Sequence, residues 1–495
     1  MKKINQFIKQ YGYYLLLLIP FFFIDKCLDN DIWFMLNHGR YIINNGFVSI
    51  EPFTLHQGLE FSFEKWLTCV TFYKLYETFG SFSIIAFVFL FAILLEYLVY
   101  YATKTISNNK IINILSTSIT CSLLFMPYLR SRPQIFSYAL LIIEFILLEK
   151  YIQVQERHYL YWLPIVSLLY MQLHSTMWPM FFIMIMPYLC DSSKLAWGLK
   201  LKECDYAKKP IITATIISFV AGFINPYGYK SVIYLIKSLR VTNMPILEVA
   251  APDIFGVFNF LSVIIFMHII YWLVKSLKPQ NKLNTLPLRY LYILLGTFAL
   301  FGIAVRNGAF YIIYAGIITA YMFEQIDLDK NVVQMSFLAI FVAVFATFIF
   351  ASNNTSLYMR TKSYTALNEL KLDVGTRETK IYTDFNSGGY AEFLGFKAYI
   401  DPRAEVFIEE INGKENIFEE YQKIASGKIH YEDLQQKYDF DYWLVQNNTV
   451  LDTYMKKDEN YDIVIETKDY NVYQPSKNPS AVTSCGLKEN ACNCK

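Results

Sequence analysis

Long apolar runs constrain this chain more than any other feature of its sequence. They recur from about residue 12 to about residue 352, and most approach the ~20 residues needed to cross the hydrocarbon core of a bilayer. After residue 352 they stop and the composition becomes polar. Of the 495 residues 55% are hydrophobic and only 17% are charged, below the roughly 25% of an ordinary soluble protein. The sequence therefore predicts an α-helical polytopic membrane protein followed by a water-soluble domain.

Apolar length predicts about eleven transmembrane spans. The first is interpreted as a retained span, since no small-x-small cleavage site for a signal peptide follows it. The spans near 159–190 are short enough to be re-entrant segments. The predicted spans are 12–25, 82–102, 111–128, 134–152, 159–173, 177–190, 210–225, 256–276, 289–305, 309–323 and 333–352.

Lysine and arginine set the predicted orientation, because basic loops stay on the cytoplasmic side of a membrane. With the amino terminus in the cytoplasm, most of the basic loops lie inside, and the odd number of spans places the C-terminal domain outside. The 44 basic and 42 acidic side chains nearly cancel, so the overall charge says nothing about partners, and no nucleic-acid partner is predicted. The prediction is a multi-pass protein of the cell membrane.

Three regions follow from these patterns. Residues 1–352 form the transmembrane domain, 353–478 an extracytoplasmic α/β domain, and 479–495 a disordered tail that contains cysteines. In the α/β domain, strand-like "KIYTDF", "KAYID", "YWLVQ" and "YDIVIET" are separated by helical "ENIFEEYQKIAS" and "YEDLQQKY". Asp401 and Arg403 are expected to pair, and Gly388–Gly389 offers either a turn or a ligand-binding loop.

The predicted topology gathers polar residues from separate loops on the outer face. Arginines on this side break the positive-inside tendency and therefore need partners. The outer residues are Asp29, Asp31, Glu64, Arg130, Arg132, His174, Asn225, Glu248, Asp253 and Arg306.

Asp29 and Asp31 precede "IWFMLNHGRYIINNG", which is predicted to be a helix on the membrane surface ending at Gly46. Two interpretations stay open. One aspartate caps this helix and satisfies its free N–H groups, a role that suits Asp31 better than Asp29. Alternatively, a carboxylate at the boundary of water and lipid acts as a general base on an acceptor hydroxyl or amine.

Arg130 and Arg132 stand just before Pro133, at the start of a predicted span. They either reach toward lipid head groups or, together with Arg306, surround a phosphate, whose oxygens match the guanidinium fork. His174 ends another span and is either structural or part of the same site. Glu64 is likewise either a solvated charge beside an anchoring tryptophan or a substrate-binding residue.

The order of these motifs resembles bacterial polytopic membrane proteins related to the GT-C glycosyltransferases. The resemblance covers nearly the whole chain. It is carried by "DNDIWFMLNHGRYIINNGFVSIEPFTL", "EKWLTCVTFYKLYETFG", "LRSRPQIFSYALL", "LHSTMW", "INPYG", "ILEVAAPD", "RNGAF" and "IYTDFNSGGYAEFLGFKAYIDPRAEVF".

The resemblance implies a GT-C-like fold and transfer of a sugar from a polyprenyl-phosphate donor to an extracytoplasmic acceptor, a cell-surface glycan or a protein. On that pattern Asp29 matches the acid of the first outer loop, the catalytic base, and Asp31 is a second candidate. Arg130, Arg132 and Arg306 would neutralise the departing lipid phosphate in an inverting displacement. No cofactor is identified, and a divalent metal is left open.

The alternative function is a non-catalytic carrier or assembly subunit for lipid-linked glycans, with arginines that only bind phosphate. Ionisable residues inside the spans favour transport. Glu96 and Glu144 are such residues, and both are expected toward the cytoplasmic ends of their spans, which favours the enzyme. The donor sugar and the acceptor do not follow from the sequence.

Overall fold

The computed structural model describes residues 12–191, 205–240, 250–252, 287–325, 362–375 and 378–476. The chain forms two compact units, a helical unit (Met1–Val48 and Ser62–Arg360) and a C-terminal unit (Ser49–Phe61 and Thr361–Lys495). Several predictions fall outside the described residues: the spans 256–276 and 333–352, the outer residues Glu248 and Asp253, and the tail 479–495.

The described part of the helical unit consists of α-helices joined by short 3₁₀ segments. The α-helices are α1 (Ile32–Asn45), α2 (Trp66–Phe79), α3 (Ser81–Ile106), α4 (Lys110–Tyr128), α5 (Gln134–Val154), α6 (Leu163–Leu173), α7 (Trp178–Leu189), α8 (Lys208–Ala221), α9 (Tyr229–Arg240), α10 (Leu288–Ile303) and α11 (Gly308–Gln325).

Helical structure occurs at every predicted span within the described residues, with ends shifted by a few positions. The first span differs in kind, because it consists of two 3₁₀ segments, Gly12–Leu18 and Pro20–Phe23. Pro20 lacks a backbone N–H and cannot continue an α-helix through this run. Two described helices are long and apolar enough to cross a membrane, α3 with 26 residues and α4 with 19, so the full number of spans stays a prediction.

A buried ion cluster links α5, the residues just after α7 and the start of α10. Arg289 donates to Glu149 at 2.8 Å and to Asp191 at 2.8 Å, and its side chain is almost fully buried. Tyr290 adds a hydrogen bond to Glu149 at 2.9 Å. Burying these charges is tolerable only because each is paired, so the cluster specifies how α5 and α10 meet.

The C-terminal unit contains a five-stranded mixed sheet in the order β2-β1-β3-β5-β4. Strand β1 is parallel to β2 and β3, whereas β5 is antiparallel to β3 and β4. Its elements are α12 (Tyr364–Asp373), β1 (Lys380–Tyr382), α13 (Gly388–Leu394), β2 (Lys397–Ala398), α14 (Glu409–Asn412), α15 (Ile417–Ala425), α16 (Tyr431–Tyr438), β3 (Tyr442–Gln446), α17 (Val450–Met455), β4 (Tyr461–Glu466) and β5 (Tyr470–Pro475).

The four predicted strands and both predicted helices of this unit are confirmed, while β5, α12, α13, α14 and α17 are additional. The two glycines of "NSGGY" lie buried at the start of α13. A Cβ on Gly388 would stand 1.8 Å from the carbonyl oxygen of Ile400, so a close approach of two backbones requires glycine there. Close packing of two backbones, which was not one of the two roles expected for this pair, therefore explains the glycine at 388.

Residues 49–61 form a hairpin-like segment that belongs to the C-terminal unit. Ile50 and Glu60 form an antiparallel bridge, and the Leu55 N–H donates to the Ala398 carbonyl at 3.1 Å. In the helical unit, the Tyr227 hydroxyl holds the two chain ends that flank this segment. It donates to the Val48 carbonyl at 2.8 Å and accepts from the Phe63 N–H at 3.4 Å.

Arg403 anchors the segment through a cluster of three buried carboxylates, which we call the Arg403 cluster. Its guanidinium donates to Asp401 at 2.9 Å, Glu51 at 2.9 Å and Glu392 at 3.1 Å, which confirms the predicted pairing with Asp401. Burial raises the pKa of Glu392, and the neighbouring Asp401 raises that pKa further. Although burial opposes it, the positive charge of Arg403 holds the pKa of Asp401 below its usual value. Of this buried pair, Glu392 therefore holds a proton more readily than Asp401.

Replacing Arg403 should make the C-terminal unit unfold at a lower denaturant concentration. We expect Arg403→Met to cost about 3–5 kcal/mol, because three buried acids lose their counter-charge. Glu392→Gln should be nearly neutral at pH 7, since the amide mimics the protonated acid. Pulse proteolysis of the full chain in detergent, across a urea series, measures both.

The Glu392→Gln variant also tests the direction of the pKa shift of Glu392. A raised pKa in the folded state contributes stability at lower pH, and this contribution is lost as the pH rises through that pKa. Glu392→Gln should therefore reduce the loss of stability on the alkaline side. A loss of several kcal/mol in Glu392→Gln at pH 7 would contradict the assignment of the proton.

Candidate functional site

Asp29 lies at the entrance to α1 and is held by arginines from the loop between α4 and α5. Its carboxylate is 3% exposed. Arg132 Nη2 lies 2.9 Å from Asp29 Oδ1, and Arg130 Nη1 lies 3.7 Å from Asp29 Oδ2. Arg132 Nε lies 3.2 Å from Asp31 Oδ2, so one guanidinium bridges both aspartates. We call these four side chains the acid–arginine group.

The local sequence fixes this loop. Pro127 stands in the last turn of α4 and Pro133 at the N-cap of α5, which leaves a short tight connection. The Arg132 N–H donates to the Arg130 carbonyl at 2.7 Å. The Ser131 hydroxyl oxygen accepts from the Asp29 N–H at 3.2 Å. Side chains of the loop thus contact both the backbone and the carboxylate of Asp29.

The prediction that Asp31 caps α1 is wrong in its chemistry. Asp31 occupies the N-cap position, but its side chain makes no capping hydrogen bond. Its own N–H donates to Asp29 Oδ1 at 3.2 Å, and its carboxylate pairs with Arg132 instead. The nearby guanidinium attracts the carboxylate more strongly than the helix N–H groups do. Head-group binding or phosphate binding, the two roles expected for Arg132, therefore compete with an ion pair already present.

Glu64 and His174 lie in a second pair of loops that are bonded to each other. The Ser175 N–H donates to the Glu64 carbonyl at 3.0 Å, and Trp66 Nε1 donates to Gln172 Oε1 at 2.7 Å. Glu64 is 6% exposed, so the expectation of a solvated charge is wrong. These two hydrogen bonds hold the two loops together beside the start of α2.

His174 is buried and is oriented by a serine of α5. Its Nδ1 lies 2.7 Å from Ser137 Oγ, which directs Nε2 away from that helix. Burial lowers the pKa of His174 to about 3, and the positive charges of Lys65 and Arg306 lower it further. The imidazole is therefore neutral near pH 7 and can offer one hydrogen bond from Nε2 when Ser137 donates to Nδ1.

Lys65 and Arg306 bring positive charge to His174, and among the described residues neither is paired with a carboxylate. Lys65 Nζ lies 4.9 Å above the ring of Phe34 on α1, and Arg306 lies on the 3₁₀ segment Val305–Asn307. Tyr128, next to the acid–arginine loop, donates to the Val305 carbonyl at 2.8 Å. Within the described residues neither cation forms an ion pair with a carboxylate.

The structure thus connects all seven predicted site residues through one end of the helical unit. Asp29, Asp31, Arg130 and Arg132 form one group, whereas Glu64 is bonded to the loop of His174, and Arg306 acts on His174 through its charge. Sequence reasoning missed Lys65 and Ser137. The adjacency of Lys65 to Glu64 is a usable signal, whereas nothing in the sequence marks Ser137. Asn225 only shapes a turn, accepting from the Tyr227 N–H at 2.9 Å.

The neutral state of His174 is measurable. In full-length protein labelled with ¹⁵N-histidine, the ring signals of His174 should keep neutral-imidazole shifts between about pH 5 and 8, where an ordinary histidine changes charge. Comparison with His174→Gln assigns these signals among the 6 histidines. A midpoint within this range would show that the ring is solvated rather than buried.

Comparisons with known proteins bear on the fold. No protein-family model matches the chain, and no curated protein matches it in sequence. The archaeal oligosaccharyltransferase AglB from Archaeoglobus fulgidus, in complex with an inhibitory peptide and a dolichol-phosphate, matches in structure with a TM-score of 0.56 at 11% identity. The match covers 95% of this chain and 75% of that one.

Two further structures from the same organism agree. The apo oligosaccharyltransferase gives a TM-score of 0.55 at 9% identity, over 89% of this chain and 70% of that one. Its complex with zinc and sulfate gives 0.50 at 13% identity, over 85% and 64%. The predicted resemblance to GT-C glycosyltransferases is therefore confirmed at the level of the fold, which is mostly helical with a small mixed sheet near the C-terminus.

Proposed function

We propose that this protein is an inverting GT-C-type glycosyltransferase that moves a sugar from a polyprenyl-phosphate donor to an acceptor outside the cytoplasm. The observation that carries the proposal is the buried Asp29 carboxylate beside two arginines, at the end of the helical unit where His174, Lys65 and Arg306 also meet. The fold supports it, since AglB is an oligosaccharyltransferase and one of its structures holds a dolichol-phosphate and a peptide. The proposed placement is a multi-pass protein of the cell membrane, with the amino terminus in the cytoplasm and the C-terminal unit outside.

Asp29 is the proposed base. Its carboxylate takes the proton from an acceptor hydroxyl or amine as that atom attacks the anomeric carbon of the donor sugar. The bond between this carbon and the phosphate oxygen breaks, and the electron pair leaves with the lipid phosphate. Attack from the face opposite the leaving group inverts the anomeric centre. Arg132 and the Ser131 hydroxyl keep Asp29 in place for this step.

The departing phosphate needs positive charge that is not already committed. Arg132 is shared between Asp29 and Asp31, and Arg130 is in looser contact with Asp29 at 3.7 Å. Lys65 and Arg306 have no acidic partner within the described residues, so they are better placed to neutralise the phosphate. Neutral His174 can donate a hydrogen bond from Nε2 beside them. Such charge stabilisation at a leaving group is a large catalytic contribution.

Asp29→Asn should lower transfer at least 100-fold while the protein remains in the membrane at normal levels, because the amide cannot accept the proton. Asp25→Asn is the matched control, since Asp25 accepts from the Cys27 N–H at 2.9 Å in the same stretch and lies outside the acid–arginine group. Mass spectrometry of surface glycans, in cells with and without each variant, measures transfer. Wild-type glycans in Asp29→Asn cells would refute the assignment of the base.

Lys65→Met and Arg306→Gln should each weaken use of the donor by roughly tenfold or more, because each removes a charged partner of the phosphate. Lys74→Met is the control, since Lys74 lies on α2 but pairs with exposed Glu77 at 2.8 Å. In a detergent assay with lipid-phosphate-linked sugar, the effect should appear in kcat/KM for the donor. Equal losses in all three variants would contradict a specific role of Lys65 and Arg306 at the phosphate.

One observation favours the alternative, a non-catalytic carrier of lipid-linked glycans. Glu144 lies at the middle of α5 and not toward its end, which corrects the expectation, and among the described residues its two carboxylate oxygens have no hydrogen-bond partner. Buried carboxyl groups inside a membrane often serve transport. Proteoliposomes that move labelled lipid-linked sugar without forming product, and that lose this movement in Glu144→Gln, would favour the carrier.

A divalent metal does not fit the acid–arginine group. One oligosaccharyltransferase structure of this fold is a complex with zinc, so the question arises. In the part of the chain that the structure describes, no set of three or more His, Cys, Asp or Glu side chains is arranged to hold a metal ion. The two aspartates closest to each other are bridged by a guanidinium. No step of the proposed reaction therefore passes through a metal.

A further inference from the structure

We infer that Arg132 takes the place of a divalent cation between Asp29 and Asp31, so that these aspartates bind no metal in the native protein. The inference rests on the proposed function for its meaning in catalysis. Its binding part stands on geometry alone and is tested separately below.

One guanidinium makes the contacts that a bridging cation would make. Nη2 of Arg132 lies 2.9 Å from Asp29 Oδ1 and Nε lies 3.2 Å from Asp31 Oδ2. The planar fork of arginine presents donors in two directions, which suits two carboxylates that approach from different sides. Lysine lacks this geometry, so the residue type matters as well as the charge.

Charge is already balanced in the group. Two guanidinium groups, those of Arg130 and Arg132, face two aspartates, and both contact Asp29. A divalent ion entering between these carboxylates would meet two fixed positive charges at contact distance. Mg²⁺ and Ca²⁺ also require oxygen ligands at about 2.0–2.6 Å, and an ion between the two aspartates would take Asp29 Oδ1 and Asp31 Oδ2, the two oxygens that Arg132 contacts.

Arg132 is held in place by its surroundings. Its backbone N–H is bonded to the Arg130 carbonyl, and the adjacent Ser131 hydroxyl oxygen accepts from the Asp29 N–H. The Asp29 side chain is 4% exposed and that of Arg132 is 18% exposed, so water competes weakly for their contact. Moving the guanidinium aside for a metal would break its contacts with both aspartates and leave a partly buried positive charge beside the incoming cation.

The consequence is a site whose counter-charge is part of the chain. A guanidinium stays protonated at all ordinary pH values and is not removed by chelators. Its hydrogen bonds fix the direction of the Asp29 carboxylate as a metal would. The other Asp29 oxygen, Oδ2, lies 3.7 Å from Arg130 Nη1.

Manganese binding tests the inference on the full-length protein. After dialysis against EDTA in detergent, free Mn²⁺ is measured by its EPR signal during titration. Wild-type protein should show no saturable site that depends on Asp29, so wild type and Asp29→Asn should give the same curve. Arg132→Asp, which replaces the guanidinium by a third carboxylate, should gain one site, and the double variant with Asp29→Asn should lose it again.

Two further variants keep the test interpretable. Arg132→Gln removes the charge without adding a ligand and should gain weaker Mn²⁺ binding, at least tenfold weaker than Arg132→Asp. Arg132→Lys keeps the charge and should bind none. Size-exclusion profiles and near-UV circular dichroism identify the variants that fold. If Arg132→Asp does not fold, Arg132→Gln takes its place in the test.

A saturable Mn²⁺ site in wild-type protein that Asp29→Asn removes would overturn the inference. Glycan transfer by the wild-type protein that is lost after EDTA treatment and restored by added Mn²⁺ or Zn²⁺ would overturn the inference as well. Absence of any transfer together with the expected binding pattern would refute the proposed function and leave the cation replacement supported. The two failures are therefore distinguishable.

Discussion

The contact between Asp29 and Arg132 joins residues that are 103 positions apart in the chain. A carboxylate that is almost fully removed from water is costly unless a charge and hydrogen bonds compensate it. Here the compensation comes from a loop that two prolines keep short, so the start of α1 and the turn between α4 and α5 fix each other. The rest of this end of the helical unit follows from that contact, because α1 carries Phe34 beneath Lys65 and packs along α2.

A second set of buried charges plays the corresponding part in the C-terminal unit. Glu51 lies on the segment that follows α1 in the chain, and it reaches Arg403 with the help of the bridge between Ile50 and Glu60. One arginine then satisfies three acids only because Glu392 keeps its proton. In both units an arginine collects carboxylates that are distant in sequence. The difference lies in exposure, since the Arg403 cluster is closed to water whereas Arg130 remains partly accessible.

Sequence patterns predicted the elements well where hydrophobic periodicity is strong. The spans at α3 and α4 and the strands β1 and β3 follow directly from apolar length and alternation. The inclusion of residues 49–61 in the C-terminal unit could not be predicted, because it depends on long-range contacts such as Leu55 with Ala398. The site residues themselves were predicted from charge on one face, but their pairing was not. Which arginine neutralises which aspartate depends on loop geometry that no local pattern encodes.

The four cations at this end of the helical unit are therefore not equivalent. Arg132 is committed to two aspartates and Arg130 is partly committed, whereas Lys65 and Arg306 lack acidic partners among the described residues. A phosphate that displaced Arg132 would have to leave Asp29 buried without compensation, which costs several kcal/mol. A phosphate that approached Lys65 and Arg306 would displace no ion pair with a carboxylate among the described residues and would meet the two positive charges that lower the pKa of His174. Electrostatics alone thus separates the group that holds the base from the group that receives the leaving phosphate.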